Sequence, residues 1–334
     1  MIYLYGAYGI GNLGDDLILL GALQDYALDS VRIVCYGKPS INVDVDWISE
    51  SDFKNRKEFF LKENDLLVFA GGGLFWADVH IYEMLDLARC AKKVGAKVYL
   101  QKVGFQGLHL APDAVKELCN IADAITVRDF DSICLARNWF IDSNITHSPD
   151  FVFSLKEYVD KKRKTIQEKK LEVRPKIGIN HSNVNFYHVK EHRDRALDLY
   201  AQVINNYHEK IDFVYIPQVR HKNVIAQNDI LYGEYFWQKT KGAIGTLSFP
   251  KNVDDLLNIY CELDAIIAWR YHSLVLGNVL DIPTLLFADM NRDKYQSFAK
   301  ENAIPHIDFN LNDNQILWAF NCWIDRFLLN SYKK

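Results

Sequence analysis

The sequence lacks the features that mark several large classes of protein. No apolar stretch approaches the roughly 20 residues that a membrane-spanning helix needs. The 6 cysteines are scattered through the 334 residues without a Cys-x-x-Cys pair, so we expect reduced thiols in an apolar core. A net charge of -4 gives no reason to expect nucleic acid as a partner. Since a basic-then-apolar leader is also missing, we expect a soluble, cytoplasmic protein.

Common catalytic and nucleotide-binding motifs are missing too. There is no Gly-x-Ser-x-Gly elbow, P-loop or cysteine nucleophile signature. The segment Gly9-Ile-Gly11-Asn-Leu-Gly14 fits the dinucleotide fingerprint, but no carboxylate follows the second predicted strand before Asp44 to hold a ribose. Lys38 could accept an NADP phosphate, which leaves an NADP-dependent enzyme as a weaker alternative. His188 and His192 have the spacing of a metal-binding pair on a helix, yet no third ligand is evident and we predict no metal.

Apolar runs alternate with amphipathic stretches along almost the whole chain, and this pattern predicts an α/β fold with mostly parallel sheets. A hydrophobic content of 49% and a charged content of 25% are typical of globular proteins. We predict a Rossmann-like domain at 1–155, a charged linker at 156–176 and a second Rossmann-like domain at 177–314. The terminal helix at 315–334 is predicted to return to the first domain. This architecture is GT-B-like and places the active site in the interdomain cleft.

The most informative stretch is Asp264–Ser273, an apolar run that ends in an arginine, a histidine and a serine. A short apolar run before a helix predicts a buried parallel strand, and open α/β sheets bind ligands at the carboxyl ends of such strands. Arg270 offers a permanent positive charge, His272 a proton near neutral pH and Ser273 a hydroxyl at a helix start. Together they predict a site for an anionic substrate whose reaction needs proton transfer.

A similar phrase occurs earlier, at Asp123–Ser132, where Arg128 is offset by one position from Arg270. If the two halves are domains that face each other, both arginines could meet across a cleft. The alternative is that any two strand-to-helix junctions in an α/β protein look alike.

Two glycine-containing turns in the first half complete the candidate residues there. Asn12-Leu-Gly14-Asp15-Asp16 brings two carboxylates to a strand-to-helix junction, where one of them either contacts substrate or only caps the helix. Gly71-Gly72-Gly73 follows a predicted strand and lets main chain lie directly against a ligand. In the second half, His221 follows a predicted strand, and a role in the cleft and a place in a solvated loop are equally supported.

These motifs give the chain a resemblance to the polysaccharide pyruvyl transferase family. The matching segments run in the family's order over about residues 6–290. One departure is Phe151, where the family often has proline. The segments are Gly11-Asn12-Leu-Gly14-Asp15, Gly71-Gly72-Gly73, Thr126-Val-Arg128-Asp129 with Ser132, Pro149-Asp150 and Arg270-Tyr-His272-Ser273.

The resemblance implies transfer of pyruvate from phosphoenolpyruvate to two hydroxyls of a sugar, forming a cyclic ketal in polysaccharide biosynthesis. It also implies a GT-B-like fold, phosphoenolpyruvate in the interdomain cleft, and no metal or other cofactor. The family's arginine and Arg-x-His motifs fall on Arg128, Arg270 and His272. The acceptor is a saccharide, and a lipid-linked one would bring the protein to the inner membrane face as a peripheral protein.

The residues themselves suggest how such a reaction would proceed. Two guanidinium groups, Arg128 and Arg270, suit the carboxylate and phosphate of the donor. His272 is the predicted general acid, and Asp15 is assigned to the acceptor hydroxyls. The predicted substrate-binding residues are Asn12, Gly14, Gly72, Gly73, Ser132, Ser273 and His221.

Two other functions share this architecture. A GT-B glycosyltransferase could use an arginine on the diphosphate of a nucleotide sugar. A non-catalytic sugar-binding protein could have kept the same fold, although the arginine–histidine set is present here.

Overall fold

The chain forms two compact units, Met1–Leu155 and Lys156–Lys334. The computed structural model describes residues 1–139, 141, 144–169, 174–181, 190–221, 228–246, 249–289 and 293–331, with backbone alone at 190–193, 246 and 293. His188 of the predicted histidine pair and the side chain of His192 lie outside this description. Among the described residues, no helix is both long and apolar enough to cross a membrane.

The first unit is built on a parallel sheet with the strand order β3-β2-β1-β4-β5-β6-β7. The central strands are almost wholly buried, as expected when helices cover both faces of a parallel sheet. The elements are β1 (Ile2–Tyr5), α1 (Leu13–Ala22), β2 (Val31–Cys35), β3 (Asp46–Ser49), α2 (Glu50–Asn55), α3 (Lys57–Phe60), β4 (Leu66–Gly72), α4 (Asp78–Lys93), β5 (Lys97–Val103), α5 (Pro112–Ile121), β6 (Ala124–Val127), α6 (Phe130–Asn138) and β7 (Ile145–His147).

The second unit has its own parallel sheet, with the order β10-β9-β8-β11-β12-β13. Strand β11 is buried at all four positions and lies beside β8 in the middle of the sheet. The elements are α7 (Lys156–Gln167), β8 (Lys176–Ile179), α8 (Lys190–Tyr207), β9 (Asp212–Tyr215), α9 (Ile230–Lys239), β10 (Ile244–Thr246), α10 (Val253–Glu262), β11 (Ala265–Ala268), α11 (Tyr271–Val279), β12 (Thr284–Ala288), α12 (Asp293–Glu301), β13 (His306–Asp308) and α13 (Asp313–Ser331).

Helix α13 packs in the second unit, whereas the sequence predicts its return to the first. Ile316, Phe320 and Ile324 lie at a spacing of four residues and join the core of the second unit. The ring of Phe320 lies 4.9 Å from that of Phe287 on β12 and 5.8 Å from that of Tyr200 on α8. The apolar face of α13 therefore completes the core of the second unit, to which the helix itself belongs.

Part of the charged segment at 156–176, which the sequence predicts to be a linker, is helical. Residues Lys156–Gln167 form helix α7, which packs on α10 through the buried Val159. Arg163 Nη1 donates to the carbonyl of Leu263 at 3.1 Å, and Gln167 Nε2 donates to that of Cys261 at 2.8 Å. These long polar side chains anchor the helix in the second unit. Because Val159 is its only buried apolar residue, the sequence shows little of the apolar periodicity that predicts a helix.

Each sheet has a point at which the direction of strand addition reverses. In the first unit it lies between β1 and β4, and in the second between β8 and β11. The crevice beyond the carboxyl ends of two such strands is the usual ligand site of open α/β sheets. A ligand site is therefore expected at these two edges.

Candidate functional site

At the first of these edges, Asn12 links the end of β1 to the start of α1. Its Oδ1 accepts the Gly14 N–H at 3.0 Å, and its Nδ2 donates to Oδ2 of Asp15 at 2.7 Å. Asn12 is thus the helix cap, and it also orients the Asp15 carboxylate. Gly14 is buried in the first turn of the helix.

The two neighbouring carboxylates have different surroundings. Asp16 is fully buried, and its carboxylate accepts the backbone N–H groups of Gly9 and Ser40, both at 2.9 Å. It therefore ties together the loops that follow β1 and β2. Asp15 is partly exposed beside it. Neither aspartate serves as the helix cap, and Asp15 is the carboxylate that a ligand can reach.

The glycine-rich carboxyl end of β4 lies against Asp15. Gly72 has a φ of +73°, and a Cβ at this position would lie 4.0 Å from Oδ1 of Asp15. A side chain there would be strained, so this end of the strand keeps main chain next to the carboxylate. Gly73 is exposed, with no atom within 4 Å of where its Cβ would lie. The structure thus brings Asn12, Asp15 and Gly72 together.

Arg128, at the end of β6, is almost completely buried. Its side chain is 2% exposed, and Nη1 donates to Oδ2 of Asp150 at 3.2 Å. Its Nε lies 3.7 Å from Oδ2 of Asp129. The guanidinium is thus held between two buried carboxylates and packs against the backbone at Gly104. Within the first unit, Arg128 is an internal ion-pair residue and presents no exposed guanidinium.

Ser132 belongs to the same buried group. Its hydroxyl donates to Oδ1 of Asp129 at 2.6 Å and accepts the N–H of Phe105 at 3.0 Å. Asp129 also caps helix α6 by accepting the Ser132 N–H at 2.8 Å. Ser132 therefore joins the loop after β5 to the start of α6, and it is fully buried.

In the second unit, Arg270 follows β11 and begins helix α11. Both its backbone N–H and that of Trp269 donate to Oδ1 of Asn180, which follows β8, at 2.8 and 2.9 Å. Its side chain is 11% exposed and forms a two-point ion pair with Asp229, in which Nε donates to Oδ2 at 2.7 Å and Nη2 donates to Oδ1. No described residue accepts a hydrogen bond from its Nη1. Arg270 is thus held in place at the point where strand addition reverses.

Asp229 is fully buried and accepts two further hydrogen bonds, from the N–H groups of Gln218 at 2.8 Å and Val219 at 2.9 Å. Burial raises the pKa of the Asp229 carboxyl, and the Arg270 guanidinium with these N–H donors opposes that rise. Burial alone would lower the pKa of Arg270, but the charge and hydrogen bonds of Asp229 raise it overall. The Arg270 guanidinium is therefore a permanent cation at the sheet edge.

His272 lies two residues beyond Arg270, in the first turn of α11, and is partly exposed. The positive end of the helix dipole lies at this position and favours an anion. Ser273 is fully buried, and its hydroxyl is 2.7 Å from the hydroxyl of Tyr260. That tyrosine hydroxyl also accepts from Nε2 of Gln218 at 2.6 Å. Ser273 is therefore part of a buried network beneath the edge, and His272 is partly exposed beside it, with its Nε2 atom buried.

His221 lies in the loop beyond β9 and is partly exposed. The preceding residues of this loop contact Asp229 through the N–H groups of Gln218 and Val219. Arg220 forms an isolated antiparallel bridge with Asn228. His221 thus follows a segment that Asp229 anchors at the same edge as Arg270.

A family model described as polysaccharide pyruvyl transferase matches residues 12–289, most of the chain. The chain belongs to the polysaccharide pyruvyl transferase family. This confirms the resemblance carried by the ordered motifs, and the matched region includes the first-unit edge with Asp15 and the second-unit edge with Arg270. No curated protein gives a significant match to this family member.

Solved structures share its fold at low sequence identity. UDP-GlcNAc 2-epimerase from Methanocaldococcus jannaschii, in complex with UDP-GlcNAc and UDP, has a TM-score of 0.59 and 10% identity, over 96% of this chain and 92% of that one. An α,α-trehalose-phosphate synthase (UDP-forming) from Burkholderia vietnamiensis has a TM-score of 0.58 and 10% identity, over 97% and 91%. These similarities confirm the α/β class with two Rossmann-like, GT-B-like domains.

Three buried residues at the second-unit edge were not predicted from the sequence. Asn180 accepts the backbone N–H of Arg270, and Asp229 binds the guanidinium of the same residue. The third residue, Tyr260, shares a hydrogen bond with the hydroxyl of Ser273. Asn180 could have been found, because it is a polar residue at the end of an apolar strand run. Asp229 precedes helix α9, which the sequence pattern did not predict, so its position gave no signal.

Proposed function

We propose that this protein transfers the pyruvyl group of phosphoenolpyruvate onto two hydroxyls of a saccharide, forming a cyclic ketal in polysaccharide biosynthesis. Family membership supports a pyruvyl transferase. One observation supports the donor assignment above all. Asp229 holds the Arg270 guanidinium in place where strand addition reverses in the second sheet, and His272 lies two residues beyond Arg270. A fixed cation next to a proton donor suits a substrate that is anionic and needs protonation.

Donor binding rests on the second-unit edge. Asp229 occupies Nε and Nη2 of Arg270, which leaves Nη1 for a phosphate or carboxylate oxygen of the donor. The amino end of α11 adds a favourable potential for the same anion. Because Asp229 holds the guanidinium before the donor arrives, little side-chain entropy is lost on binding.

The chemistry needs proton transfer and charge stabilisation only. His272 protonates the methylene carbon of phosphoenolpyruvate, which becomes the methyl group and makes C2 electrophilic. A first sugar hydroxyl adds to C2 and loses its proton. The C2–O bond to phosphate then breaks, and inorganic phosphate leaves while Arg270 stabilises its charge. A second hydroxyl then adds to C2 and loses its proton. Over the whole reaction, one hydroxyl proton replaces the proton that His272 gave to the methyl group, and the other ends on the phosphate.

The first-unit edge supplies the group proposed for the acceptor. Asp15 is held by Asn12 Nδ2 and lies beside the main chain of Gly72. A carboxylate so oriented can accept the hydrogen bond of a sugar hydroxyl and later its proton. Gly72 and the exposed Gly73 let a sugar ring approach the backbone closely.

The buried members of the predicted set act from beneath these edges. Arg128 and Ser132 organise the loops after β6 and β5 through Asp129. Ser273 does the same beneath Arg270 through Tyr260. We therefore propose that these three residues position the surface groups and do not contact substrate. All six cysteines are free, which suits the reducing cytoplasm as the place of action.

The test is thermal unfolding of the wild type and Arg270→Ala with phosphoenolpyruvate, UDP, GDP, CMP or NADP. A ligand that binds only the native state raises the melting temperature, so no acceptor needs to be known. We expect phosphoenolpyruvate alone to stabilise the wild type, and to leave Arg270→Ala unchanged. Arg89→Ala is the matched control, since Arg89 forms an exposed ion pair with Glu117 on the first unit.

Other results of this experiment would identify the alternatives. Stabilisation by UDP, GDP or CMP that Arg270→Ala loses would indicate a glycosyltransferase that uses a nucleotide sugar. Stabilisation by NADP would indicate the dinucleotide-dependent alternative. No response to any of the five ligands, in a folded wild type, would favour a non-catalytic sugar-binding protein.

A further inference from the structure

Side chains of three residues that bind metals in many proteins converge in the first unit. Glu50 begins helix α2, and His80 and Glu83 lie one turn apart on α4. One ligand atom from each lies within 4.8 Å of the other two. The proposed transfer reaction uses none of the three.

His80 is the unusual member of this cluster. It is 3% exposed, and its ring nitrogens make no hydrogen bond to any described residue. Its Nδ1 lies 4.0 Å from Oε1 of Glu50 and 3.7 Å from Oε2 of Glu83. Buried polar groups are normally hydrogen-bonded, and an exception asks for an explanation such as an ion. Here a buried imidazole directs a nitrogen toward two carboxylates.

A positive charge already lies between these carboxylates. The Nζ atom of Lys54 is 2.7 Å from Oε1 of Glu50 and 2.5 Å from Oε2 of Glu83. The two oxygens thus converge on one cation position. The Lys54 side chain is 23% exposed and has a flexible stem, so it can move into solvent. A divalent ion in its place would neutralise both carboxylates and take up the lone pair of His80.

We propose that Glu50, His80 and Glu83 bind a divalent transition-metal ion of the zinc class after Lys54 has moved aside. One imidazole and two carboxylates suit Zn²⁺ or Co²⁺, whereas Ca²⁺ and Mg²⁺ prefer oxygen ligands only. Glu83 is 40% exposed, so water reaches the ion and completes its coordination. Tyr5 donates to Oε1 of Glu50 and so helps to orient that carboxylate.

The ion would support the turn that carries the first-unit edge. The ring of His80 lies 5.3 Å from that of Trp76, which follows the glycines at the carboxyl end of β4. The ring of His80 also stacks on that of Tyr5, with 5.9 Å between the ring centroids. A metal ion on His80 would therefore fix the base of the segment that places Gly72 beside Asp15. This inference is independent of the proposed function, because it concerns metal binding alone.

The experiment is a titration of the full-length protein with Co²⁺, followed by visible ligand-field absorption and by displacement with Zn²⁺. We expect saturable binding by the wild type, with one ion per chain. Lys54→Ala removes the competing ammonium and should bind about tenfold more tightly. Lys57→Ala is the matched control, since Lys57 pairs with Asp86 on the neighbouring helix and should leave the affinity unchanged.

Removal of a ligand must abolish the signal if the assignment is right. Glu83→Gln changes a partly exposed side chain, and we expect it to fold normally and lose Co²⁺ binding in both backgrounds. The proposal is overturned if neither the wild type nor Lys54→Ala binds Co²⁺ saturably. It is equally overturned if Glu83→Gln or His80→Ala, shown to be folded by circular dichroism, binds as tightly as its parent.

Discussion

Asp229 and Arg270 form a two-point ion pair across 41 residues of sequence, with Nε to Oδ2 at 2.7 Å and a second contact from Nη2 to Oδ1. The aspartate is fully buried and the arginine side chain is 11% exposed. The pair connects the loop after β9 with the start of α11. A cation that would otherwise be flexible is thus set in one orientation at the edge of the second sheet.

The first prediction concerns this pair. Asp229→Asn should lower the free energy of unfolding by about 3–5 kcal/mol, because it leaves a largely buried guanidinium without its counter-charge. We also expect weaker stabilisation by phosphoenolpyruvate, since Arg270 loses its orientation. Urea unfolding and ligand-dependent melting measure the two effects. Asp46→Asn is the control, because Asp46 forms an exposed pair with Arg32 and its loss should cost at most about 0.5 kcal/mol.

A double-mutant cycle makes this prediction specific to the pair. In Arg270→Met, the further change Asp229→Leu should restore part of the stability that either single change removes. Additive losses would show that the two side chains do not depend on each other.

The second prediction concerns His272. His272→Ala should leave phosphoenolpyruvate-induced stabilisation intact while turnover falls by roughly 10²–10⁴-fold, as is typical when a general acid is lost. Release of inorganic phosphate with a saccharide acceptor measures the turnover. His109→Ala, at an exposed position on the first unit, should retain full activity. Full activity in His272→Ala would end the proposed role.

The third prediction separates a buried positioning role of Arg128 from direct donor binding. Because the guanidinium is 2% exposed and lies between Asp150 and Asp129, Arg128→Lys keeps the charge but loses the planar fork. We expect lower stability in urea, with phosphoenolpyruvate still raising the melting temperature as in the wild type. Loss of that response at unchanged stability would instead show that Arg128 contacts the donor.

The fourth prediction concerns the thiols. Burial raises the pKa of Cys119 to about 12 and that of Cys261 to about 11, whereas Cys134 and Cys322 are exposed. A disulfide reagent at pH 8 should therefore modify only the two exposed thiols quickly in the native protein, and all 6 after unfolding. Rapid modification of Cys119 in the folded state would contradict its burial.

The same pKa shifts predict an effect of alkaline pH on stability. In the unfolded chain these thiols lose their protons above about pH 8.5, whereas the folded protein keeps them protonated. Their contribution to stability is complete below that pH and is lost as the pH rises toward 11–12. Urea unfolding at pH 8 and pH 10 should therefore show lower stability at the higher pH.

Much of the fold was readable because its signals are local. The apolar run in Asp264–Ser273 predicts a buried strand, and the structure has β11 there at Ala265–Ala268, buried at all four positions. Edge strand β3 gave no such signal, because Asp46 and Trp47 are exposed. Helix α9 was also missed, and with it the aspartate that precedes its first turn.

Some features of the candidate site could likewise be predicted from the sequence, and others could not. The sequence by itself determined the family, the parallel α/β class and the strand-to-helix junctions at Asp15, Arg270 and His272, because these depend on short motifs and on local periodicity. Only the tertiary structure decided that Asp229 holds Arg270, that Ser132 and Ser273 are buried, and which unit covers helix α13. The physical reason is that ion pairs and burial depend on residues that lie far apart in the chain. An amphipathic pattern shows that a helix or strand needs a partner surface, but it does not identify the residues that form that surface.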